Sequence, residues 1–224
     1  MSASFPKPMQ PLGGHSVPQP ILTLEGIQKR RATELFSPVS FTLNPGEGLG
    51  VYGFNGSGKT TLLDIISGLE KASAGQLVLT GSVGYAMQHA GFQEALSLKD
   101  NLLLEAHLCG FAGSEARGRA QKLAARLDIL PFWNTRYGKA SSGMKGRLAI
   151  AAALIASPQL LLLDEAYNFL DQHSVEQTFH VLRAEKERGA ALVMVSHAYE
   201  DFAGLCERVL LLPTAELTIG TQAP

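Results

Sequence analysis

The stretch GFNGSGKTT, which runs from Gly53 to Thr61, decides how the rest of this chain can be interpreted. It matches the pattern G-x-x-x-x-G-K-[ST], it begins at the end of the apolar run GLGVYG, and apolar residues at helical spacing follow it. A glycine-rich turn between a buried strand and a helix presents backbone amides and a helix N-terminus to an anion. The stretch therefore predicts a loop that binds the phosphates of a nucleotide.

Each residue type in this loop has a physical role in phosphate binding. Gly53, Gly56 and Gly58 are expected to adopt positive φ and to let the backbone approach the phosphates. We expect Lys59 to bridge the β- and γ-phosphates and the Thr60 hydroxyl to coordinate Mg²⁺. The predicted nucleotide-binding residues of the loop are Gly53, Phe54, Asn55, Gly56, Ser57, Gly58, Lys59, Thr60 and Thr61.

Two acidic residues follow another apolar run further along the chain. LLLLDEA, residues 160–166, has the continuous leucines of a strand that is buried on both faces of a sheet. Because ligands gather at the carboxyl ends of such strands, Asp164 is predicted to hold Mg²⁺, directly or through a water. Glu165 points elsewhere and is the candidate group that polarises an attacking water.

Two more polar residues end predicted strands and complete the candidate set. His197 follows the apolar run ALVMVS, and we expect it to contact the γ-phosphate at the same sheet edge. Gln88 follows SVGYAM, and we expect it to contact both Mg²⁺ and the attacking water. The predicted catalytic residues are Glu165, His197 and Gln88, and the predicted Mg²⁺ ligands are Thr60, Gln88 and Asp164.

The remaining pattern indicates an α/β fold. Apolar strands alternate with helical segments, which predicts the mainly parallel, RecA-like sheet of a P-loop NTPase with helices on both faces. ILTLEGI and PVSFTLNPGE are predicted to be strands, and the predicted fold includes an antiparallel β subdomain. Helical periodicity over about 96–157 predicts an inserted helical subdomain. Residues 1–20, rich in proline and glycine, are predicted to form a disordered lead-in to a single domain over 21–224.

Composition and charge argue against several classes of ligand. The chain has 224 residues, with 19 Lys and Arg against 20 Asp and Glu, so nucleic acid is not expected as a partner. Cys109 and Cys206 lie far apart without a C-x-x-C partner, which argues against zinc or a disulfide scaffold. The longest apolar run, residues 148–156, is shorter than the ~20 residues that span a bilayer. Work at a membrane would therefore require a separate membrane protein.

The stretch ASSGMKGRLAI, residues 140–150, allows two interpretations. Ser141 or Ser142 can cap the alanine-rich helix that follows. Alternatively, these hydroxyls, Gly143 and the positive end of the helix form half of a nucleotide site whose other half belongs to a different molecule.

Taken together, the motifs resemble the nucleotide-binding subunits of ABC transporters, from about Ile21 to Pro213. GFNGSGKTT is similar to the Walker A motif of that family, YAMQ to its Q-loop, LLLLDE to its Walker B motif, FLD to its D-loop and SH to its H-switch. ASSGMKGR stands where the family has its signature, L-S-G-G-Q-x-x-R. The order and spacing favour this family over a P-loop kinase, which would leave the signature and His197 unexplained.

The resemblance implies a reaction and partners. Two such subunits, identical or different, sandwich two ATP molecules with Mg²⁺, and Ser141, Ser142 and Gly143 of one subunit close the site of the other. ATP hydrolysis then drives a separate integral membrane subunit, for which the segment from about His89 to His107 is the candidate docking groove. The implied location is the cytoplasmic face of the cell membrane, and the implied direction of transport is export.

Several positions depart from the family pattern. No tyrosine lies in residues 28–34, where the family stacks adenine on an aromatic ring, so Arg30 and Arg31 are the candidates for that contact. The other departures are Ala140 for leucine, Ser142 for glycine, Met144 for glutamine and Ala166 for proline.

Two branches of the family remain open on these motifs. SSGMKGR and DEA are similar to the ATPases of polysaccharide and teichoic-acid exporters, whereas LFSPVSFTLNPGE is similar to the haem-exporter ATPase of cytochrome c maturation. The alternative function is a soluble ABC ATPase without a transport role. Such relatives carry two cassettes or a long coiled coil, and residues 89–140 leave room only for a helical subdomain.

Overall fold

The computed structural model describes residues 19–87 and 91–220, so the predicted lead-in over 1–20 lies almost entirely outside the described residues. The strands are β1 (Leu22–Arg30), β2 (Glu34–Leu43), β3 (Gly48–Gly53), β4 (Ala74–Leu79), β5 (Val83–Ala86), β6 (Leu160–Asp164), β7 (Ala191–Ser196), β8 (Arg208–Leu212) and β9 (Glu216–Ile219). The helices are α1 (Lys59–Ser67), α2 (Leu98–Leu108), α3 (Gly113–Arg126), α4 (Ser142–Leu154) and α5 (Gln172–Glu187).

The central sheet has six strands in the order β5-β6-β7-β3-β8-β9. All neighbours pair in parallel except β8 and β9, which are antiparallel. Successive side chains of β6 alternate between two hydrophobic clusters, because a strand has a period of two. Leu161 and Leu163 pack with α4 and α5, whereas Leu160 and Leu162 pack with α1. The predicted α/β class is confirmed.

A second sheet, in the order β2-β1-β4, is antiparallel. Leu24 of β1 lies opposite Phe41 on one side and Leu77 on the other. Leu24 and Phe41 are buried in the same cluster as Leu62 and Ile66 of α1. The small sheet therefore covers the helix that follows the glycine-rich loop, and the predicted antiparallel β subdomain is confirmed.

The helices between β5 and β6 pack against one another and against the face of the central sheet that carries Leu161 and Leu163. Leu102 of α2, Ala120 of α3 and Leu148 of α4 share one buried cluster. Ser97 caps α2, since its side chain accepts a hydrogen bond from the backbone N–H of Asp100 at 3.0 Å. No helix within the described ranges combines the length and the apolar character that a membrane crossing needs.

Candidate nucleotide-binding and hydrolysis site

The glycine-rich loop joins β3 to α1, in the arrangement that the sequence predicted. Gly56 and Gly58 have φ values of 84° and 96°, which an L side chain rarely adopts. Gly53 does not have a positive φ, so the prediction for this residue is wrong. The reason is that Gly53 belongs to β3, where it pairs in parallel with Leu212. Gly53 requires glycine for a different reason, since a Cβ atom there would lie 2.5 Å from the carbonyl oxygen of Leu212.

Lys59 places a cation at the base of this loop. Its side chain is 6% exposed, and Nζ donates hydrogen bonds to the carbonyl oxygens of Gly53 at 2.8 Å and Phe54 at 3.2 Å. Burial lowers the pKa of Lys59, and the carboxylates of Glu165 and Asp164 oppose that shift. The ammonium group therefore lies between the loop and two acidic side chains.

A pair of oxygen ligands lies where the loop meets β6. The Thr60 hydroxyl donates a 2.8 Å hydrogen bond to Oδ2 of Asp164, which is 3% exposed. Burial raises the pKa of Asp164, and the hydrogen bond from Thr60 opposes that shift. Hydroxyl and carboxylate oxygens suit Mg²⁺, which commonly binds one or two protein ligands together with substrate phosphates. Accordingly, within residues 19–87 and 91–220 no group of three or more His, Cys, Asp or Glu side chains could hold a metal.

Glu165 and His197 meet at the same sheet edge. Nε2 of His197 contacts Oε1 of Glu165, and both side chains line a cleft of about 380 Å³ with Lys59 and Thr60. The structure therefore brings together the loop, Asp164, Glu165 and His197. Gln88, the remaining predicted member, lies outside the described residues, and its role stays a prediction.

The turn after β6 holds Glu165 in an unusual backbone conformation. Glu165 has a φ of 55°, which places it in the left-handed region. The side-chain amide of Asn168 donates a 3.1 Å hydrogen bond to Oε2 of Glu165, and the hydroxyl of Tyr167 donates a 2.9 Å bond to the carbonyl oxygen of Val195. Sequence reasoning missed Asn168 and Tyr167, whose only signal was their position directly after the paired acids.

The signature segment packs against this turn rather than against the loop of its own chain. Ser141 caps α4, with its side chain accepting a hydrogen bond from the N–H of Met144 at 3.2 Å. Ser142 lines a second cleft of about 380 Å³, which Glu165 also borders. The cleft at the phosphate loop is lined by described residues that include none of 141–143. A single chain therefore does not bring Ser141, Ser142 and Gly143 to its own loop.

One of the two arginine candidates lines the phosphate cleft. Arg31 lines this cleft together with Leu35, and its side chain is 64% exposed. Nη2 of Arg31 lies 3.6 Å from a carboxylate oxygen of Glu70. Arg30 is absent from the described lining of the cleft, so Arg31 is the better placed of the two for contact with a base.

A parallel sheet with a glycine-rich loop, a lysine and a Thr–Asp pair at its carboxyl edge defines the class of P-loop nucleoside triphosphatases. The sequence model of the ABC transporter family matches residues 36–168, which is more than half of the chain. The chain belongs to the ABC transporter family, in its class of ATP-binding cassettes.

Comparisons with individual proteins agree with this assignment. The chain is 32% identical over 186 residues to the doxorubicin resistance ATP-binding protein DrrA of Mycobacterium tuberculosis, covering 78% of this chain and 56% of that protein. It is 30% identical over 190 residues to the teichoic acids export ATP-binding protein TagH of Listeria innocua, covering 85% and 57%. It is 29% identical over 212 residues to the methionine import ATP-binding protein MetN of Caulobacter vibrioides, covering 86% and 64%. The chain thus spans less than two thirds of the length of these relatives.

A solved structure shows the same fold. It is the dimeric, post-hydrolysis ATP-binding cassette MJ0796 bound to ADP and Pi, which matches with a TM-score of 0.80 at 22% identity. The match covers 90% of this chain and 99% of that one.

Proposed function

We propose that this chain is an ATP-binding and ATP-hydrolysing subunit that powers transport by a separate integral membrane subunit. One observation carries the proposal: the cleft at the glycine-rich loop is bordered by Thr60, which is hydrogen-bonded to Asp164, and by the contact between Glu165 and His197. The first arrangement suits a Mg²⁺-bound triphosphate, and the second suits activation of a water. A site that only binds nucleotide would need the first alone.

In the proposed reaction, Glu165 acts on water and the loop holds the phosphates. The Glu165 carboxylate orients a water and accepts a proton as the water oxygen attacks the γ-phosphorus, and the bond from that phosphorus to the bridging oxygen breaks. Lys59 and the amides of the loop stabilise the phosphate charge, and His197 orients Glu165 through their contact. Thr60 and Asp164 would hold Mg²⁺, which when bound neutralises charge on the β- and γ-phosphates.

We further propose that a second cassette completes the site. The N-terminus of α4, with Ser141 and Ser142, lies away from the phosphate cleft of its own chain, yet hydroxyls and a positive helix end suit an anion. The same placement leaves these groups for the γ-phosphate bound by a facing subunit. The MJ0796 cassette, which has the same fold, is dimeric in its complex with ADP and Pi, and this supports the arrangement.

The membrane partner is proposed to dock beside α2. A groove of about 340 Å³ lies there, lined by Phe92 and Cys109 and by alanines of α4, and Leu108 of α2 is exposed nearby. Part of the predicted docking segment, residues 89 and 90, lies outside the described residues. Such docking would place the chain on the cytoplasmic face of the membrane. We propose export as the direction, on the similarity of SSGMKGR and DEA to exporter ATPases.

The hydrolysis proposal is tested with Glu165→Gln in the purified chain. This variant should bind ATP with near wild-type affinity, lose at least about 100-fold in phosphate release, and accumulate as a dimer in ATP. The matched control is Glu176→Gln, an exposed glutamate on α5 that is not among the described residues lining the phosphate cleft, and it should behave as wild type. Hydrolysis by Glu165→Gln at the wild-type rate would contradict the role of Glu165.

Two further measurements test the rest of the proposal. Lys59→Ala should lose nucleotide affinity, and normal affinity would contradict the assignment of the loop. A pull-down from native membranes in mild detergent, read by mass spectrometry, should recover a multi-spanning membrane protein in stoichiometric amount. Recovery from the soluble fraction alone would instead favour a soluble ABC ATPase.

A further inference from the structure

Both oxygens of the Glu165 carboxylate are in contact with another side chain. One of these side chains, His197, belongs to the SH stretch that is similar to the H-switch, whereas the other is not among the predicted site residues. His197 contacts Oε1, while the side-chain amide of Asn168 donates to Oε2 at 3.1 Å. The backbone N–H of Asn168 also donates to the carbonyl oxygen of Glu165 at 3.1 Å. Asn168 is therefore bonded to Glu165 at two points, one on the backbone and one on the carboxylate.

The turn that carries Asn168 is itself fixed from several sides. Tyr167 is buried and bonds to β7, and its ring packs edge-on against Phe179 of α5 at a centroid distance of 5.9 Å. The carbonyl oxygen of Ala166 faces α4 closely, because a Cβ atom at Gly146 would lie 2.3 Å from it. These contacts leave the turn little freedom, so the amide of Asn168 is presented to Glu165 in a defined position.

The chemistry of the amide suits a positioning role. An amide N–H donor stabilises a carboxylate through a charge-assisted hydrogen bond, and it cannot itself take the proton that a base must accept. The other ionisable groups around Glu165 are Lys59, Asp164, His197 and Arg31, with Lys145 and Glu94 on the adjoining cleft. Among the described contacts of Oε2, the hydrogen bond from the Asn168 amide fixes the orientation of the Glu165 carboxylate.

We infer that Asn168 is a positioning residue for hydrolysis, which holds Oε2 so that the Glu165 carboxylate keeps the orientation required to receive a proton from water. This inference rests on the proposed ATPase function. Asn168 is exposed, and the neighbouring Phe169 is 61% exposed. The bond thus lies on the surface that a second cassette would cover, and closure would shield it from competing water.

The test compares Asn168→Ala with wild type in the full chain, measuring phosphate release over a range of ATP concentrations. A positioning role predicts a roughly tenfold lower kcat, because one charge-assisted bond is lost, with the KM for ATP within about twofold. Asn134→Ala, an exposed asparagine in a turn before the signature, is the matched control and should keep the wild-type kcat.

A double-mutant cycle separates positioning from a merely structural role. In the Glu165→Ala background, Asn168→Ala should cause no further loss in single-turnover measurements, because the carboxylate that it holds is gone. An unchanged kcat in the single variant, or an equal loss in both backgrounds, would overturn the inference. Absence of hydrolysis in the wild-type chain would overturn the proposed ATPase function itself and is distinguishable from both results.

Discussion

Replacing Gly146 by alanine probes the contact between the signature helix and the turn after β6. A Cβ atom at Gly146 would lie 2.3 Å from the carbonyl oxygen of Ala166, whereas ordinary contact begins at 3.4 Å. The difference, 3.4 − 2.3 = 1.1 Å, must be absorbed by movement of α4 or of the backbone at Ala166. Both sides of the contact are backbone, so neither can yield by a rotamer change.

The expected cost follows from two opposing effects. Overpacking of this kind lowers the free energy of unfolding by about 1–3 kcal/mol, whereas replacing glycine by alanine in a helix interior raises it by about 1 kcal/mol. Gly118→Ala isolates the second effect, because Gly118 occupies a similar interior position in α3 and its added Cβ atom meets nothing within 4 Å. The difference in unfolding free energy between the two variants should therefore be about 1–3 kcal/mol, with Gly146→Ala the less stable.

Urea unfolding and thermal melts measure this difference directly. For a chain of this size, about 1 kcal/mol corresponds to a shift of roughly 2–4 °C in Tm. Because Ala166 directly follows Glu165, Gly146→Ala should also lower hydrolysis at temperatures where the variant remains folded. Equal unfolding free energies for Gly146→Ala and Gly118→Ala would refute the close contact and the reasoning built on it.

Three other predictions concern an ion pair, base recognition and thiol reactivity. Burial opposes ionisation of Glu185, but hydrogen bonds from two arginines outweigh it and hold its pKa below the usual value of about 4.3. The ionised Glu185 carboxylate therefore stabilises the fold above that pH, and this stabilisation is lost as the pH falls. Glu185→Gln should lower the unfolding free energy more at pH 7 than at pH 4. A pH-independent loss in urea titrations would contradict this prediction. Arg31→Ala should weaken binding of ATP more than binding of tripolyphosphate in competition assays, because only ATP carries a base on which Arg31 can stack, and equal losses would argue against a base contact. Iodoacetamide should modify the exposed Cys109 in the native chain but Cys206, whose pKa is raised by burial, only after unfolding; mass spectrometry showing equal native labelling would contradict this.

The parts of the fold that the sequence predicted are those specified by local patterns. The loop from Gly53 to Thr61 was recognisable because its spacing reports backbone geometry within nine residues. β6 and β7 were recognisable because strands buried on both faces are continuously apolar. Local spacing could not report the conformation of Gly53, which depends on its pairing with β8.

Two features escaped the sequence because their signals lie in their partners. β9, four mostly exposed residues, becomes a strand through antiparallel pairing with β8 and shows little hydrophobic pattern of its own. Asn168 is an ordinary polar residue in the sequence, and its contact with Glu165 depends on the backbone of the intervening turn. Gln88 is outside the described residues, so its predicted role rests on the sequence alone.

The sequence by itself determined which side chains are available for phosphate, metal and water chemistry, because residue type and short-range spacing carry that information. Only the tertiary structure decided which of them meet. Thr60 and Asp164 are separated by 104 positions, and they form a hydrogen bond because only β7 separates β6 from β3 in the sheet, which brings the end of β6 to the loop that follows β3. Ser142 lies nearer to Asp164 in sequence, yet it faces a different cleft. Strand order and helix packing are non-local, and no spacing within a motif encodes them.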